Sequence, residues 1–176
     1  MNTNIISTPK DFSHQTKWTT QTMCLAAVMT TLVFLTTFVP RIPIPLGYAH
    51  LGDATIFLLV LFLPHRPAFL AACLGSALSD LLGGFPLWIL PTLLIKFVMA
   101  WLTWKFNGGA VSLLRTAAAF FLASLWMAVG YTIFGVLLYN SLSAGLASAP
   151  GLFLEGIINT IVALLLLPIL NRALQH

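Results

Sequence analysis

Residues 40–53, PRIPIPLGYAHLGD, join two strongly apolar runs, Thr19–Val39 and Leu51–Leu63. Each proline fixes its own φ angle and holds the residue before it extended, so this junction is predicted to be a stiff loop. Gly47 is expected to permit a sharp turn before the second run becomes a helix. The loop delivers three polar side chains to the mouth of that helix: Tyr48, His50 and Asp53.

The composition of the chain indicates a membrane protein. Of its 176 residues, 59% are hydrophobic and only 7% are charged, whereas a soluble domain carries about a quarter charged residues. Cys24 and Cys73 lie inside apolar runs, where we expect them to pack, with neither a disulfide framework nor metal-ligand spacing. The formal charge of +4 is too diffuse for nucleic-acid binding.

Apolar runs of about 17 to 25 residues are long enough to span a bilayer as helices. Two shorter runs, Leu51–Leu63 and Ala68–Leu82, are separated by PHRP at 64–67. Either alone could be a re-entrant segment, but together they favour a helical hairpin that crosses and returns. The sequence therefore predicts an all-α membrane protein with six transmembrane helices in residues 19–172, after a tail at residues 1–18. The longer runs are Thr19–Val39, Leu87–Trp104, Leu113–Tyr139 and Leu152–Leu170.

The positive residues predict the orientation, because cations in short loops gather on the cytoplasmic side. With six spans and both termini in the cytoplasm, Arg41 lies outside and Lys96 lies within a span. A re-entrant hairpin would instead move Arg66 outside. The first apolar run is too long for a signal-peptide core and lacks a small-residue cleavage site, so we expect it to be retained. The predicted cytoplasmic cations are Lys10, Lys17, Arg66, Lys105, Arg115 and Arg172.

Ionisable residues inside the apolar runs are functional candidates, because such a group is costly unless it faces protein, a partner or water. Lys96 lies near the middle of the fourth helix, and Asp53, Asp80 and Glu155 each lie near the outer end of a helix. Asp80 and Lys96 could form a structural ion pair that closes the hairpin of helices three and four. Asp53 could stabilise the N-terminus of its own helix through the helix dipole.

Glu155 and Asn159 lie one turn apart on the sixth helix, so one helix face offers a carboxylate and an amide. We expect both to hydrogen-bond a ligand, with Lys96 balancing the buried carboxylates, chiefly Asp80. Two aromatic side chains, from the third loop and the fifth helix, would cover a ring. An apolar pocket with a few polar groups is typical of a small-molecule site. The candidate substrate-binding residues are Tyr48, His50, Asp53, Trp88, Lys96, Tyr131, Glu155 and Asn159.

Three motifs carry a resemblance to a known family: GYAHLGD at 47–53, GSALSDLLGG at 75–84 and PTLLIK at 91–96. Over residues 30–100 the chain resembles the substrate-binding S components of energy-coupling factor (ECF) vitamin transporters, in the riboflavin-transporter-like branch. The resemblance implies a six-helix subunit in a bacterial plasma membrane that captures a vitamin or precursor from outside, with the first loop as its gate. It also implies a toppling motion, a transmembrane coupling subunit and two cytoplasmic ATPases as partners. In agreement, the chain has no G-x-x-x-x-G-K-[ST] phosphate loop of its own.

The resemblance also implies a docking face for the coupling subunit on the first helix, where the family typically has A-x-x-x-A. Here AAVMTT offers Ala26 with Thr30 and Ala27 with Thr31. Small residues four apart let two helices approach closely. GSALS at 75–79 offers another small-residue face, which could equally pack within the protein.

No resident cofactor is expected for a vitamin-binding subunit, but two other classes of function remain open. A membrane-embedded enzyme usually needs clustered carboxylates for Mg²⁺, yet the acidic residues are scattered over three helices. His50 and Asp53 could share a metal, but two ligands do not make a site. An ion channel or proton-coupled carrier would need a relay across the inner half, which is apolar. For a vitamin-binding subunit, riboflavin, pyridoxine, a hydroxymethylpyrimidine precursor of thiamine and cobalamin all remain compatible substrates.

Overall fold

The computed structural model describes residues 18–107 and 112–173. Residues 1–17 of the predicted tail, with Lys10 and Lys17, lie outside this part of the chain. Within it the protein forms six α-helices and one antiparallel two-stranded ribbon. The helices are α1 Thr20–Phe38, α2 Gly52–Phe62, α3 His65–Gly83, α4 Ile89–Asn107, α5 Leu113–Tyr139 and α6 Leu142–Ala173; the strands are β1 Ile42–Ile44 and β2 Gly47–Ala49, and a 3₁₀ turn Pro86–Trp88 precedes α4.

Four of the helices are long and apolar enough to cross a membrane: α1, α4 with its preceding turn, α5 and α6. α2 is apolar but has only 11 residues. Large hydrophobic side chains such as Leu90, Leu114 and Leu165 are exposed on the helix surfaces, where a bilayer would cover them. The chain is therefore an all-α, multi-pass membrane protein apart from its short ribbon, as the sequence predicted.

The predicted start of the sixth helix, Leu152, is wrong. α6 begins at Leu142 and continues through Pro150. The stretch SAGLASAPG is therefore helical, although small residues and a Pro-Gly pair usually indicate a loop. The small residues allow α6 to pack closely on α5. A Cβ atom added at Gly145 would lie 2.8 Å from the backbone nitrogen of Val136 and 2.9 Å from the carbonyl oxygen of Thr132.

The helices alternate in direction, so the bundle has two chemically different ends. The loop with the ribbon lies at one end, close to Gly83 at the end of α3 and to Gly151 in α6. We call it the ribbon end. The opposite end, called the basic end, carries the described cations of the predicted cytoplasmic set: Arg66, Lys105, Arg115 and Arg172.

α2 begins inside the bundle and not at its mouth. Its first turn meets the middle of two long helices: Asp53 pairs with Lys96 of α4, and the Ala54 nitrogen donates to Asn159 Oδ1 of α6 at 2.8 Å. An 11-residue helix is about 16 Å long, roughly half the thickness of the apolar core of a bilayer. The preceding loop therefore folds down into the bundle. Asp53, predicted to lie at the outer mouth, is fully buried.

The β-ribbon replaces the irregular loop that the prolines led us to expect. β1 and β2 pair with Pro43 opposite Tyr48 and Ile44 opposite Gly47. Gly47 was predicted to make the turn, but the left-handed residue is Leu46, with φ 65°. This conformation is uncommon for residues other than glycine, and strain of this kind clusters at functional sites.

The four small residues of the predicted docking face lie on two different sides of α1. Ala26 is buried and Thr30 half-buried against α3, because a glycine at position 75 lets the two helices approach: a Cβ atom there would lie 2.8 Å from the Thr30 carbonyl oxygen. These two members of the predicted docking face pack within the protein instead. Ala27 and Thr31 are exposed. Gly75, Ser76 and Ala77 of the second small-residue face are buried, in agreement with the alternative that they pack internally.

Candidate ligand-binding site

A cavity lies beneath the β-ribbon, enclosed by the ribbon, the α3–α4 connection, α5 and α6. The empty space under the ribbon, counted together with its open mouth, is about 500 Å³. The ribbon contributes Leu46, the strained residue, so the turn that covers the cavity is held in an unusual backbone conformation. The polar and aromatic lining residues are Tyr48, His50, Asp80, Phe85, Trp88, Tyr131, Ser148 and Glu155.

The cavity brings together five of the eight residues predicted to bind substrate: Tyr48, His50, Trp88, Tyr131 and Glu155. The other three are buried one helical turn deeper, towards the basic end, and do not line it. Asn159 follows Glu155 by one turn, and Asp53 and Lys96 lie at the start of α2 and in α4. We call these three residues the floor: Asp53, Lys96 and Asn159.

Lys96 forms its ion pair with Asp53, and both side chains are buried. The Asp80–Lys96 pair predicted from the sequence is wrong. Asp80 instead accepts a hydrogen bond from Thr92, one turn before Lys96 on α4, whereas α2 carries Asp53 down to the level of the lysine. A pair buried in this way is strongly destabilised if one partner is removed.

Asn159 holds the entry to α2 in place. Its Oδ1 accepts from the Ala54 nitrogen, and its Nδ2 donates to the carbonyl oxygens of His50 at 2.7 Å and Glu155 at 2.9 Å. The amide thus joins α6 to the last residues of the loop. Because these backbone contacts use its oxygen and both amide hydrogens, Asn159 supports the site from below, and the hydrogen bond to a ligand predicted for it has no counterpart in this geometry.

Asp80 connects the ribbon to α4 and α5. Tyr48 donates to its Oδ1 at 3.2 Å, and Thr92 donates to its Oδ2 at 2.5 Å. Tyr131 donates in turn to the Thr92 hydroxyl at 3.0 Å. Burial raises the pKa of Tyr48 to about 12, so its hydroxyl remains a donor at neutral pH. Asp80, predicted only as a partner of Lys96, therefore organises one wall of the cavity.

Aromatic rings form the other walls. Trp88 and Tyr131 have their ring centroids 5.6 Å apart, and Tyr48 lies 5.6 Å from Phe85. The indole nitrogen of Trp88 donates to the Tyr139 hydroxyl at 3.4 Å, which orients that ring. Walls of this composition can stack on a flat ring or surround a cationic group.

His50 and Glu155 meet where the ribbon enters α2. The His50 backbone nitrogen donates to Glu155 Oε1 at 3.2 Å, and His50 Nδ1 lies 3.1 Å from the same oxygen. Nδ1 also accepts a hydrogen bond from the Gly52 nitrogen at 3.2 Å. Burial, together with the positive charge of Lys96, lowers the pKa of His50 to about 4. The imidazole is therefore neutral and adds no positive charge beside Glu155.

Sequence reasoning missed several contributors to the site. Ser148 and Leu152 line the cavity two turns and one turn before Glu155. A sixth helix predicted from Leu142 would have placed Ser148 on the same face, and Leu152 was already inside the predicted helix. Thr92 lies four residues before Lys96 and was detectable by the same spacing. Arg41 was placed only as an outer loop cation. Its guanidinium lies over the rings of Phe38 and Tyr48 and donates to the Ser79 carbonyl oxygen, which fastens the ribbon to α3.

Comparison with known proteins identifies the family. The family model described as ECF-type riboflavin transporter, S component, matches residues 17–172, and so covers every residue of the site. A protein of Pyrococcus woesei, described as an uncharacterized protein in a gap 3′ region, is 38% identical over 111 residues, which are 61% of this chain and 74% of that protein. The resemblance carried by the three motifs is thereby confirmed. This chain belongs to the S-component family of ECF-type riboflavin transporters.

Proposed function

We propose that this protein is the substrate-binding subunit of an ECF-type importer and captures a small heteroaromatic vitamin, or a precursor of one, from outside the cell. The observation that carries this is the cavity beneath the ribbon, with ring-stacking walls and the carboxylates of Asp80 and Glu155. Family membership supports a role in binding and transport, not in catalysis. The ribbon would act as the gate, because it forms the cover of the cavity.

The proposed arrangement has six passes through the plasma membrane, with the ribbon end outside and the basic end and both termini in the cytoplasm. The tail at 1–18 and the membrane domain at 19–172 remain the proposed division of the chain. The distribution of charge supports this orientation, since Arg66, Lys105 and Arg115 are at the end opposite Arg41. Single cysteines labelled in intact cells by an impermeant reagent test it: position 41 should react and position 115 should not.

We expect a transmembrane coupling subunit and two cytoplasmic ATPases as partners, with the protein toppling in the membrane when docked. The exposed Ala27 and Thr31 support a close helix contact on this side of α1. Ala27→Trp should abolish uptake while the isolated protein still binds its ligand. Leu154→Trp, on the exposed side of α6, is the matched control and should leave both activities unchanged. Loss of binding in Ala27→Trp would assign this face to the fold of the protein itself.

The function is tested most directly by identifying what the protein carries. Mass spectrometry of small molecules released from the detergent-purified protein should find a heteroaromatic vitamin or precursor. Cells that lack the protein should lose high-affinity uptake of that compound. A protein that releases no such compound, in cells whose vitamin uptake does not depend on it, would contradict the proposal.

A further inference from the structure

We infer that the ligand is a heteroaromatic compound with a positive charge, such as a protonated amino-substituted ring or a ring with an ammonium group, and that Glu155 is its counterion. This inference rests on the proposed function and specifies its substrate. The family is named for riboflavin, whose flavin ring is neutral. The charges of this particular cavity favour a different ligand.

The cavity has two acidic side chains in its lining. Asp80 and Glu155 line it, whereas no lysine or arginine is among the lining residues in the described part of the chain. Lys96 forms an ion pair with Asp53 below the cavity. Arg41 is not a lining residue; its guanidinium lies over the ring of Tyr48 and donates to the Ser79 carbonyl oxygen. The two wall carboxylates therefore face the cavity without an ion-pair partner from a lysine or arginine.

Glu155 has one carboxylate oxygen that is available to a cationic ligand. Glu155 is only 4% exposed, and its Oε1 accepts a hydrogen bond from the His50 backbone nitrogen. Its Oε2 takes part in none of the hydrogen bonds found among residues 18–107 and 112–173, although it belongs to a side chain that lines the cavity. A buried carboxylate is unfavourable unless it is paired and hydrogen-bonded. A cationic donor in the cavity would supply both the charge and the missing hydrogen bond.

The aromatic walls fit the same class of ligand. A cation within about 6 Å of a ring centroid is attracted by the negative face of the ring, and Trp is the best of the aromatic residues for this contact. Trp88 and Tyr131 stand beside each other on one side, and Tyr48 and Phe85 stand beside each other on another. Such rings can stack on the flat part of the ligand and also stabilise its charge.

The two carboxylates also exclude phosphorylated compounds. A phosphate group would meet like charge from Asp80 and Glu155, and unpaired like charges at a binding surface are a strong means of rejecting a ligand. The cavity is therefore specific for the free form of its ligand, before any phosphate is attached.

Matched pairs of probes test the charge directly, by calorimetric titration of the detergent-purified full-length protein. Pyridoxamine differs from pyridoxine by an ammonium in place of a hydroxyl, and the aminopyrimidine half of thiamine differs from its oxo analogue by one amino group. In at least one pair the cationic or protonatable member should bind more tightly by roughly tenfold or more. Flavin mononucleotide should bind more weakly than riboflavin.

Variants of Glu155 separate the charge from the shape of the pocket. Glu155→Gln should reduce the preference for the cation by roughly ten- to a hundredfold, with little change for the neutral member. Glu155→Asp, which keeps the charge, should retain part of the preference. Tight binding of riboflavin with no preference in either pair would overturn the inference and leave the proposed transporter role intact. Failure of every probe to bind, together with normal vitamin uptake in cells without the protein, would overturn both.

Discussion

Asp53 and Glu155 are both buried carboxylates at the junction of the ribbon and α2, yet their surroundings differ in one respect. Asp53 belongs to the floor and pairs with Lys96. Glu155 belongs to the cavity wall, receives one backbone hydrogen bond through Oε1 and has a neutral histidine beside it. The floor contains its own counterion, whereas the wall does not.

This difference separates the residues that hold the site from those that we propose to contact a ligand. All eight candidates were chosen from the sequence because they were polar or aromatic side chains within the apolar runs or in the loops that join them. Polarity alone does not divide them, but their position relative to the cavity does, and so does the Lys96 partner that Asp53 has and Glu155 lacks. Substitutions in the floor should therefore act mainly on stability, and substitutions in the wall mainly on binding.

The largest loss of stability is expected from Lys96→Met. The change leaves Asp53 charged and unpaired in the interior, and breaking a buried pair in this way costs about 3–5 kcal/mol. Thermal unfolding in detergent should show a strongly lowered midpoint. The double variant Lys96→Met with Asp53→Asn should recover most of the loss, because no charge is then stranded. A single variant that melts like the wild type would contradict the floor pair.

A smaller loss of stability is expected from Asn159→Ala. The Ala54 nitrogen and the His50 carbonyl oxygen lose their partner, and an unsatisfied buried group costs about 1–3 kcal/mol. Binding should weaken as well, since the loop is no longer held at the start of α2. Ile158→Ala, on the exposed side of the same turn, is the control. If both variants unfold alike, the amide does not anchor the loop.

Asp80→Asn should lower stability only slightly, by about 1 kcal/mol, because the hydroxyls of Tyr48 and Thr92 can reorient around an amide. Lys96 keeps its partner Asp53, so no charge is stranded. The unfolding midpoint and the ligand affinity should be measured on the same preparation, and affinity should change more than stability. A destabilisation as large as that of Lys96→Met would show that Asp80 stabilises the fold in the way the floor residues do, and would contradict this prediction.

The smallest effect concerns pH. Because the folded state lowers the pKa of His50 to about 4, the unfolded chain binds its proton first, and stability falls as pH drops from about 6.5 towards about 4. Between about pH 7.5 and about pH 6 the loss from this residue should stay below about 1 kcal/mol. The slope should be absent in His50→Gln. An equal slope in both proteins would show that other groups cause it.

The helices and much of the cavity could be predicted from the sequence, because apolar length and helical spacing are local properties. The bounds of α5, Leu113–Tyr139, were predicted correctly in this way, whereas Glu155, expected near the outer end of its helix, lies well inside α6. The pairing of Lys96 could not be predicted, because spacing relates residues on one helix and does not set the relative depth of two helices. That depth depends on the hydrogen bonds of the Asn159 amide and on the way the chain after the ribbon enters the bundle. Both involve contacts between distant parts of the chain.

The short α2 has a consequence for the distance that a ligand must travel. The helix below the floor is about 16 Å long, whereas the apolar core of a bilayer is about 30 Å thick. A ligand in the cavity would lie above the floor, so only the floor and this one short helix would separate it from the level of the basic end.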